Sequence, residues 1–264
     1  MPRLTVITGA SSGIGAELAK RCAVHGDRVV LMARRLDQLD QVAMDIRNDG
    51  GLATTVALDV TIHDAVQSAF KEIHDAFGPI DLLVLNAGIG DPTPARSFDA
   101  AKFKRVVDVN LIGPANCIES ALPRMLENNR GQIVGIGSLA GFRGLPMAGA
   151  YCASKSGFAA LLESLRLDLR DTGVAVQLIT PGFIRTAMTD SNDFEMPFLI
   201  ELNDATERIL RAVRRGDSEY SFPWQLAWPA RFARFLPNWA YDKIVSRTRR
   251  PRQSLLFSLR RGCA

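Results

Sequence analysis

Short apolar runs alternate with stretches in which apolar residues recur at helical spacing, from residue 4 to about residue 222. The runs predict strands, because they are rich in Val, Ile and Leu and are apolar on both faces. The predicted strands cover residues 4–8, 28–33, 52–58, 81–85, 132–136, 174–179 and 219–222. Helices are predicted between them over 13–25, 36–49, 62–77, 150–170 and 204–215, with a longer helical region interrupted near 108–110. This alternation predicts an α/β fold: a single Rossmann-like, doubly wound parallel sheet of about seven strands.

The pattern changes after residue 222. Pro223, Pro229 and Pro237 interrupt a segment rich in aromatic and basic residues, and each proline suits the first turn of a short helix. We therefore expect a short helical C-terminal extension over 223–264, packed on or near the domain of residues 1–222. The segment 185–203 has no clear period.

Charge divides the chain at a similar point. The net charge is +4, but residues 231–264 carry +8 and residues 1–230 carry −4. The acidic body argues against nucleic-acid binding. Aromatic residues interleaved with arginines in the extension leave two interpretations open: they cap the substrate pocket or a subunit face, or they make peripheral contact with a membrane surface that carries anionic lipids.

The cysteines, the histidines and the length of the apolar runs argue against a disulfide-bonded protein, a metal site and a membrane-spanning segment. The 4 cysteines show no paired spacing, which predicts a reducing compartment. The 3 histidines form no HxxxH motif and the cysteines no CxxC motif, so no metal site is expected. No apolar run approaches the roughly 18 residues that span a bilayer. The first strand begins too early for a signal peptide, so we expect a cytoplasmic protein, with peripheral membrane contact as the open variant.

A glycine-rich turn, Thr8 to Gly15 (TGASSGIG), joins the first strand to the first helix. A tight turn alone would explain some of these glycines, but at this position they favour a pyrophosphate site on the helix N-terminus. Arg34 and Arg35 end the second strand, where an acidic residue would bind the ribose 2′-hydroxyl of NAD. A guanidinium suits a 2′-phosphate instead, so NADP(H) is predicted. Arg34 is the favoured contact because it follows the strand directly, and one of the two arginines is expected to be solvated.

Tyr151 and Lys155 stand four residues apart at the start of a predicted helix, which places both on one face. A nearby ammonium is expected to lower the pKa of the phenol into a range useful for proton transfer. Such a pair alone is common and would fit an exposed polar face. Ser138 follows the apolar strand 132–136, however, at the edge of the sheet where α/β proteins bind ligands, so the three groups are expected to converge.

Together these motifs resemble the short-chain dehydrogenase/reductase family over about residues 4–222. The matching positions, in family order, are Thr8 to Gly15, Asp59, Asn86 to Gly88, Asn110, Ser138, Tyr151, Lys155, Pro181, Gly182 and Thr186. Two departures are mild: Leu85 precedes Asn86 where two asparagines are common, and Gly137 precedes Ser138 where two serines are common.

The resemblance implies a role for each member of the catalytic set. Tyr151 would be the acid/base and Ser138 would hydrogen-bond the reacting oxygen. Lys155 would bind the nicotinamide ribose and tune Tyr151, and Asn110 would hold a water that links the site to solvent. The implied cofactor contacts are Gly9, Ser11, Ser12, Gly13, Ile14, Gly15, Arg34, Arg35, Asp59, Val60, Asn86, Ala87, Gly88, Tyr151, Lys155, Pro181, Gly182, Ile184 and Thr186; the substrate contacts are Ser138, Ala140, Met147, Tyr151, Gly182 and Met188.

The implied activity is an NADP(H)-dependent oxidoreductase that interconverts a carbonyl and a secondary alcohol, in a homodimer or homotetramer. Residues 1–222 would then be the catalytic, NADP-binding domain, and the segment 185–203 would lie over the substrate site. The loops flanking the site carry apolar residues (Phe142, Leu145, Met147, Met188, Phe194, Met196 and Phe198), which favours a hydrophobic, lipid- or steroid-like substrate. Packing among themselves or against a neighbouring subunit is the other interpretation of these residues, and Arg143 among them is expected at the surface. The alternative function is a non-catalytic NADP(H)-binding redox sensor or scaffold.

Overall fold

A sheet of seven parallel strands forms the centre of the computed structural model, which describes residues 2–190 and 195–247. The strands are β1 (Leu4–Thr8), β2 (Arg28–Ala33), β3 (Leu52–Ala57), β4 (Leu82–Leu85), β5 (Gly131–Ile136), β6 (Val174–Pro181) and β7 (Glu219–Phe222). Their order is β3-β2-β1-β4-β5-β6-β7, and every neighbouring pair is parallel. The predicted single Rossmann-like, doubly wound sheet is confirmed.

Helices cover both faces of the sheet. They are α1 (Gly13–Val24), α2 (Leu36–Asn48), α3 (His63–Phe77), α4 (Ala100–Val107), α5 (Gly113–Glu127), α6 (Gly149–Asp168), α7 (Ala187–Asp190), α8 (Leu202–Arg215), α9 (Trp224–Ala233) and α10 (Asn238–Arg247). Buried side chains of α1, α2 and α8 form one core with the sheet, and those of α3, α5 and α6 form the second core on the other face. Two cores around one sheet explain why most strands are apolar on both faces.

The strand β3 departs from that expectation, because its residues are half-buried or exposed throughout. It pairs only with β2 and therefore lies at an edge of the sheet. Its Thr54 and Thr55 suit an edge, where one side of the strand meets water.

The strand order reverses between β1 and β4, since the chain builds outward from β1 in one direction and from β4 in the other. The loops after these two strands diverge and leave a crevice at the carboxyl edge of the sheet, which is the usual ligand position in this architecture. The glycine-rich turn follows β1, Asn86 follows β4, Ser138 follows β5 and Gly182 follows β6. The topology therefore gathers the predicted site residues at one edge.

Two helices follow β7. Pro223 precedes α9 and Pro237 directly precedes α10, as expected, but Pro229 lies inside α9. The expectation that each proline starts a helix is wrong at Pro229. Proline there removes one helical hydrogen bond, to the carbonyl of Gln225 one turn earlier, and the exposed helix continues through it. Among residues 2–190 and 195–247, no helix is long and apolar enough to span a membrane.

Candidate active site

The glycine-rich turn is packed so closely against the loop after β4 that side chains are excluded at two positions. Gly9 has a φ of +65°, and a Cβ there would lie 2.8 Å from the Ala87 Cα atom. A Cβ on Gly15 would lie 2.5 Å from the Asn86 side-chain nitrogen and from the Gly9 carbonyl oxygen. These two glycines therefore do more than allow a tight turn: they let the loop after β1 lie directly against the loop after β4.

Thr8 and Asn86 hold these two loops together. The Asn86 Nδ2 atom donates to the carbonyl oxygens of Thr8 (3.0 Å) and Gly9 (3.1 Å). The Thr8 hydroxyl accepts from the backbone N–H groups of Asn86 (3.0 Å) and Ala87 (3.1 Å). Both donors of the Asn86 amide are thus used within the protein, so its side chain shapes the cofactor crevice and does not offer a free donor to a ligand.

The N-terminus of α1 opens into this crevice with its backbone donors available. Ser12 is the N-cap residue but makes no side-chain capping hydrogen bond, and no acidic residue lies in the first turn. A helix start without a side-chain cap retains free N–H groups and the positive end of the helix dipole. These groups suit a pyrophosphate, which fits the prediction of a dinucleotide.

Arg34 and Arg35, which follow β2, point to different neighbours. The Arg35 Nη2 atom donates to the hydroxyls of Ser11 (3.0 Å) and Ser12 (3.1 Å). The Arg34 guanidinium lies 3.9 Å from the Asp59 carboxylate, and about two-thirds of its side chain is exposed. Sequence reasoning favoured Arg34, whereas the structure directs Arg35 across the glycine-rich turn and Arg34 towards Asp59.

Lys155 is almost completely buried, and its ammonium donates to the carbonyl oxygen of Ile136 at 2.8 Å. Burial lowers the pKa of Lys155 from 10.5 to about 8. A Cβ on Gly88 would lie 3.5 Å from this ammonium and 3.4 Å from the Asn110 Oδ1 atom. The loop after β4, the first turns of α6 and Asn110 therefore meet at the ammonium of Lys155.

Tyr151 lies one turn before Lys155 on α6, and the ammonium is 6.0 Å from the centroid of its ring. Burial raises the pKa of the Tyr151 phenol above 10.0, and a hydrogen bond with the Ser138 side chain partly opposes the increase. The prediction that Lys155 lowers the pKa of Tyr151 is wrong for this arrangement, because desolvation dominates at the phenol. A raised pKa keeps the phenol protonated at neutral pH, in the form that can donate a proton.

Asn110 lies in a π-helical turn, Asp108–Ile112, between α4 and α5. Its fully buried amide donates to the Ile89 carbonyl (2.9 Å) and the Ser154 hydroxyl (3.0 Å), and accepts from the Ile89 N–H (2.8 Å). The side chain therefore fixes the loop after β4 to α6. Four residues after Asn110 stands Pro114, which has no N–H. The α-helical hydrogen bond from residue 114 to the Asn110 carbonyl is therefore absent.

The predicted substrate side is lined by elements from three parts of the chain. Ser138 precedes a short 3-10 turn and accepts a hydrogen bond from the Ala140 N–H at 3.2 Å. A Cβ on Gly182 would lie 3.1 Å from the Leu226 Cδ1 atom and 3.4 Å from the Leu139 Cδ1 atom. Leu226 belongs to α9, so the C-terminal extension reaches the nicotinamide end of the predicted site.

The segment after β6 passes over the same region. A Cβ on Gly13, whose φ is +55°, would lie 3.4 Å from the Thr186 Cγ2 atom, so this segment lies close to the glycine-rich turn. An isolated bridge joins Ile184 to Ile200. Met188, in α7, is half exposed, as are Leu145, Met147 and Phe198; Phe194 lies outside the described residues.

Arg143 is the main residue that sequence reasoning placed wrongly. It was expected at the surface, but its guanidinium donates to the carbonyls of Ala233 and Leu236 (2.8 Å for the latter) and to the Asn238 side chain (2.9 Å). It also stacks 3.9 Å from the centroid of the Tyr241 ring, and the Tyr241 hydroxyl donates to the Gly144 carbonyl at 2.6 Å. The loop before α6 is thus fixed to both helices of the extension.

Two further contributors, Thr8 and Pro114, carried signals in the sequence. A polar residue at the end of an otherwise apolar strand indicates a contact at the sheet edge, which is what Thr8 makes. Pro114 after Gly113 marks the interruption of the long helical region. Within residues 2–190 and 195–247, no group of acidic, His or Cys side chains is arranged to hold a metal ion, and the three cysteines there are free and buried.

The chain belongs to the short-chain dehydrogenase/reductase family, because the family model described as short chain dehydrogenase matches residues 3–196. An uncharacterized oxidoreductase of Myxococcus xanthus (strain DK1622) is 44% identical over 247 residues, covering 94% of this chain and 98% of the relative. A 2-dehydro-3-deoxy-L-rhamnonate dehydrogenase (NAD(+)) of Sphingomonas sp. (strain SKA58) is 37% identical over 71% of this chain and 74% of its own length.

Solved structures show the same family. A metagenomic short-chain oxidoreductase in complex with NADP is 33% identical, with a TM-score of 0.71, over 83% of this chain and 96% of that chain. The match thus includes nearly all of the solved chain but leaves part of this chain without a counterpart. The match to the Myxococcus relative is longer than the 222 residues before the extension, so that relative carries a counterpart of at least part of the extension.

Proposed function

We propose that the protein is an NADP(H)-dependent oxidoreductase that interconverts a carbonyl and a secondary alcohol on a hydrophobic substrate. The observation that carries this proposal is the convergence of Tyr151, Ser138 and Lys155 at the carboxyl edge of the sheet, beside Gly88 and Asn110. A protonatable phenol, a hydroxyl that can bind the reacting oxygen and a buried ammonium are the groups that reduction of a carbonyl needs.

The dinucleotide would supply or accept the hydride when it is bound. Its pyrophosphate fits the uncapped N-terminus of α1, and the nicotinamide ribose fits beside Lys155. Lys155 would hold the ribose and Asn110 a solvent molecule, so that Tyr151 can exchange protons with solvent.

Two arginines, Arg34 and Arg35, favour NADP(H) over NAD(H). A relative is named for NAD(+), and a solved family member is in complex with NADP, so the family alone does not distinguish them. Arg34 and Arg35 occupy the end of β2, and no acidic residue precedes Asp37 in that loop. Two guanidinium groups favour a 2′-phosphate and provide no acceptor for a 2′-hydroxyl.

In the reductive direction, Tyr151 would donate its phenolic proton to the carbonyl oxygen of the substrate. Ser138 donates a hydrogen bond to the same oxygen while negative charge develops on it. Because the pKa of Tyr151 is raised, the phenol enters the reaction protonated at neutral pH.

The substrate side supports an apolar ligand. Exposed Leu145 and Met147 precede α6, Met188 and Phe198 follow β6, and Leu226 of α9 lies against Gly182. Apolar side chains in the segments that flank the predicted site would suit a pocket for a hydrophobic molecule. Assembly as a homodimer or homotetramer stays a prediction from the family resemblance, and a cytoplasmic location stays a prediction from the cysteine spacing.

A non-catalytic NADP(H) sensor is the alternative. Such a protein would need the glycine-rich turn and the arginines but neither Tyr151 nor a buried Lys155. Burying an ammonium opposes folding, so its retention favours a catalytic role.

The test is a screen with NADPH of ketones graded by chain length, including sterol ketones and 3-keto lipids, on the parent protein and on Tyr151→Phe. Because the phenylalanine ring retains the packing and loses the transferable proton, we expect kcat to fall about 10²–10⁴-fold. The Kd for NADPH should stay nearly unchanged, since the contacts of the 2′-phosphate and pyrophosphate are intact.

Tyr220→Phe, in β7, is the matched control and should retain full activity. Tight NADPH binding by a parent protein that reduces none of the ketones would favour the sensor. Equal turnover by Tyr151→Phe and the parent would remove Tyr151 from the mechanism.

A further inference from the structure

The C-terminal extension exposes a set of large apolar side chains, which we call the outer aromatic face. Its members are Trp224, Trp228, Phe232, Phe235, Trp239 and Ile244, each between 54% and 84% exposed. Trp224, Trp228 and Phe232 recur at i+4 spacing along one side of α9, and the rings of Trp228 and Phe232 stack at 6.0 Å. Among the described residues, only Phe98 and Phe198 are other aromatic side chains with large exposure.

The fold does not need this face for its own packing. The opposite side of the extension is already fixed to the body: Ala227 is buried, Leu226 lies against Gly182, and Arg143 binds the end of α9 and stacks on Tyr241. A concentrated set of exposed aromatic residues, beside a side that is already packed, indicates contact with another surface.

Charge distinguishes the surfaces that this face would accept. Residues 223–264 carry nine basic residues and one acidic residue, a net charge of +8, while the rest of the chain is at −4. Arg234 and Lys243 are exposed and adjoin Phe235 and Ile244 in the sequence, whereas Arg231 is paired with Glu219 at 2.6 Å. If two copies of the chain met through this face in a two-fold arrangement, like charges would be opposed.

We propose that the outer aromatic face docks on the surface of a bilayer that contains anionic phospholipids. Trp and Phe side chains prefer the boundary between headgroups and acyl chains, and exposed Arg and Lys beside them attract anionic headgroups. The helix α9 has 10 residues and would be about 15 Å long, so it lies along the surface and does not cross it. The inner side of the extension meanwhile keeps its contacts with the loop before α6.

The experiment measures sedimentation of the full chain with two kinds of vesicle: phosphatidylcholine alone, and equal parts phosphatidylcholine and phosphatidylglycerol. We expect binding at least about tenfold tighter to the anionic vesicles, and release by salt, because the attraction is screened within about 10 Å at 0.1 M. A charge variant, Arg234→Glu with Lys243→Glu, should lose most of the anionic preference.

Two matched triple variants separate the aromatic face from general surface hydrophobicity. Trp224→Ala/Phe235→Ala/Trp239→Ala should bind anionic vesicles about tenfold or more weakly than the parent. Val24→Ala/Phe98→Ala/Leu167→Ala removes the same number of exposed apolar side chains elsewhere and should bind like the parent. Circular dichroism and thermal unfolding of each variant verify that it is folded, and the charge variant tests the proposal independently should the aromatic variant unfold.

Absence of vesicle binding by the full chain would overturn the proposal, as would equal binding to neutral and anionic vesicles. Sedimentation velocity provides the competing outcome. Self-association that the aromatic triple variant abolishes, without vesicle binding by the parent, would assign this face to a second copy of the chain. Since these readouts do not involve catalysis, the proposal stands or fails separately from the proposed reaction.

Discussion

Lys155 is placed where its charge opposes the stability of the fold. Its ammonium is buried in α6 with one protein acceptor, the Ile136 carbonyl, and burial lowers its pKa to about 8. An ammonium has three donors, so a single acceptor leaves part of its lost hydration uncompensated. The remaining donors are available to a ribose, which explains why a destabilising group is kept at this position.

We predict that Lys155→Met stabilises the free protein at pH 7 by about 1–3 kcal/mol while abolishing turnover. The folded-state pKa is lowered, so the cost of the ammonium is fully present below pH 8 and is relieved as the pH rises from about 8 towards 10.5. The gain in unfolding free energy should therefore shrink over that window in urea titrations. Lys102→Met, at an exposed lysine of α4, should change neither quantity, and a variant less stable than the parent at pH 7 would contradict this account.

A second prediction concerns the choice of dinucleotide. Each of Arg34→Ala and Arg35→Ala should raise the Kd for NADPH about tenfold and leave the Kd for NADH unchanged, since a charge-assisted contact contributes about 1.5–3 kcal/mol and both side chains are partly solvated. Fluorescence titration with both cofactors gives the two ratios, and the larger ratio identifies the arginine that contacts the 2′-phosphate. Arg170→Ala, beyond the far end of α6, is the control for loss of one positive charge. Tighter NADH than NADPH binding by the parent would overturn the assignment.

At the scale of single residues, sequence reasoning succeeds where position in an element determines the neighbours. Ser138, Tyr151 and Lys155 could be grouped because strand ends share one edge of a parallel sheet and i+4 residues share one helix face. It fails where the neighbour is distant in sequence. Arg143 meets residues about 90 positions away, and the pKa of Tyr151 depends on burial by several elements, which no local pattern records.

At the scale of elements, the π-helical turn between α4 and α5 shows how an irregular segment gains a defined role. Gly113 and Pro114 interrupt the helix, and the buried Asn110 amide then joins the loop after β4 to Ser154 on α6. The interruption could be predicted from Pro114. Its consequence could not, because Ile89 and Ser154 lie 21 and 44 residues from Asn110.

The loop before α6 and the extension form a second pair of dependent elements. Arg143→Ala removes the contacts to the carbonyls of Ala233 and Leu236 and the stacking on Tyr241, so we expect a loss of about 2–3 kcal/mol in unfolding free energy. Because this loop leads into the turn that carries Tyr151, KM for large hydrophobic ketones should rise more than KM for small ones. Thermal unfolding and kinetics with the two ketone classes check both effects.

Two variants define how specific that effect is. Arg234→Ala removes an exposed arginine from the same extension and should leave stability and KM unchanged. Tyr241→Phe keeps the ring under Arg143 but loses the hydrogen bond to the Gly144 carbonyl, so its effect should be smaller than that of Arg143→Ala. An Arg143→Ala protein as stable as the parent would show that the extension is held by other contacts.

At the scale of the whole molecule, the chain combines a complete family fold with an added segment. All seven strands precede residue 223, and the solved family member in complex with NADP matches only 83% of this chain. Composition and charge change after residue 222, where β7 ends and the two last helices follow, and the division into two parts at this point stays a prediction. The orientation of the extension could not be predicted, because its apolar residues divide between a buried side and an exposed side that its sequence alone does not separate.

The final prediction tests whether residues 1–223 suffice for cofactor binding while the extension contributes to substrate selectivity. Removing residues 224–264 should leave a folded protein that binds NADPH with nearly the parent Kd, because the cofactor crevice is built from β1, β2 and β4. The loss of Leu226 opens the site beside Gly182 and Leu139, so discrimination in favour of large hydrophobic ketones should fall about tenfold in kcat/KM. A chain ending at Arg247 is the matched control, since it keeps Leu226 and Tyr241 and should retain the parent selectivity. If the protein without residues 224–264 keeps that selectivity as well, α9 does not line the substrate site. If that protein is folded but fails to bind NADPH, the crevice depends on the extension through contacts other than those of Leu226 and Arg143.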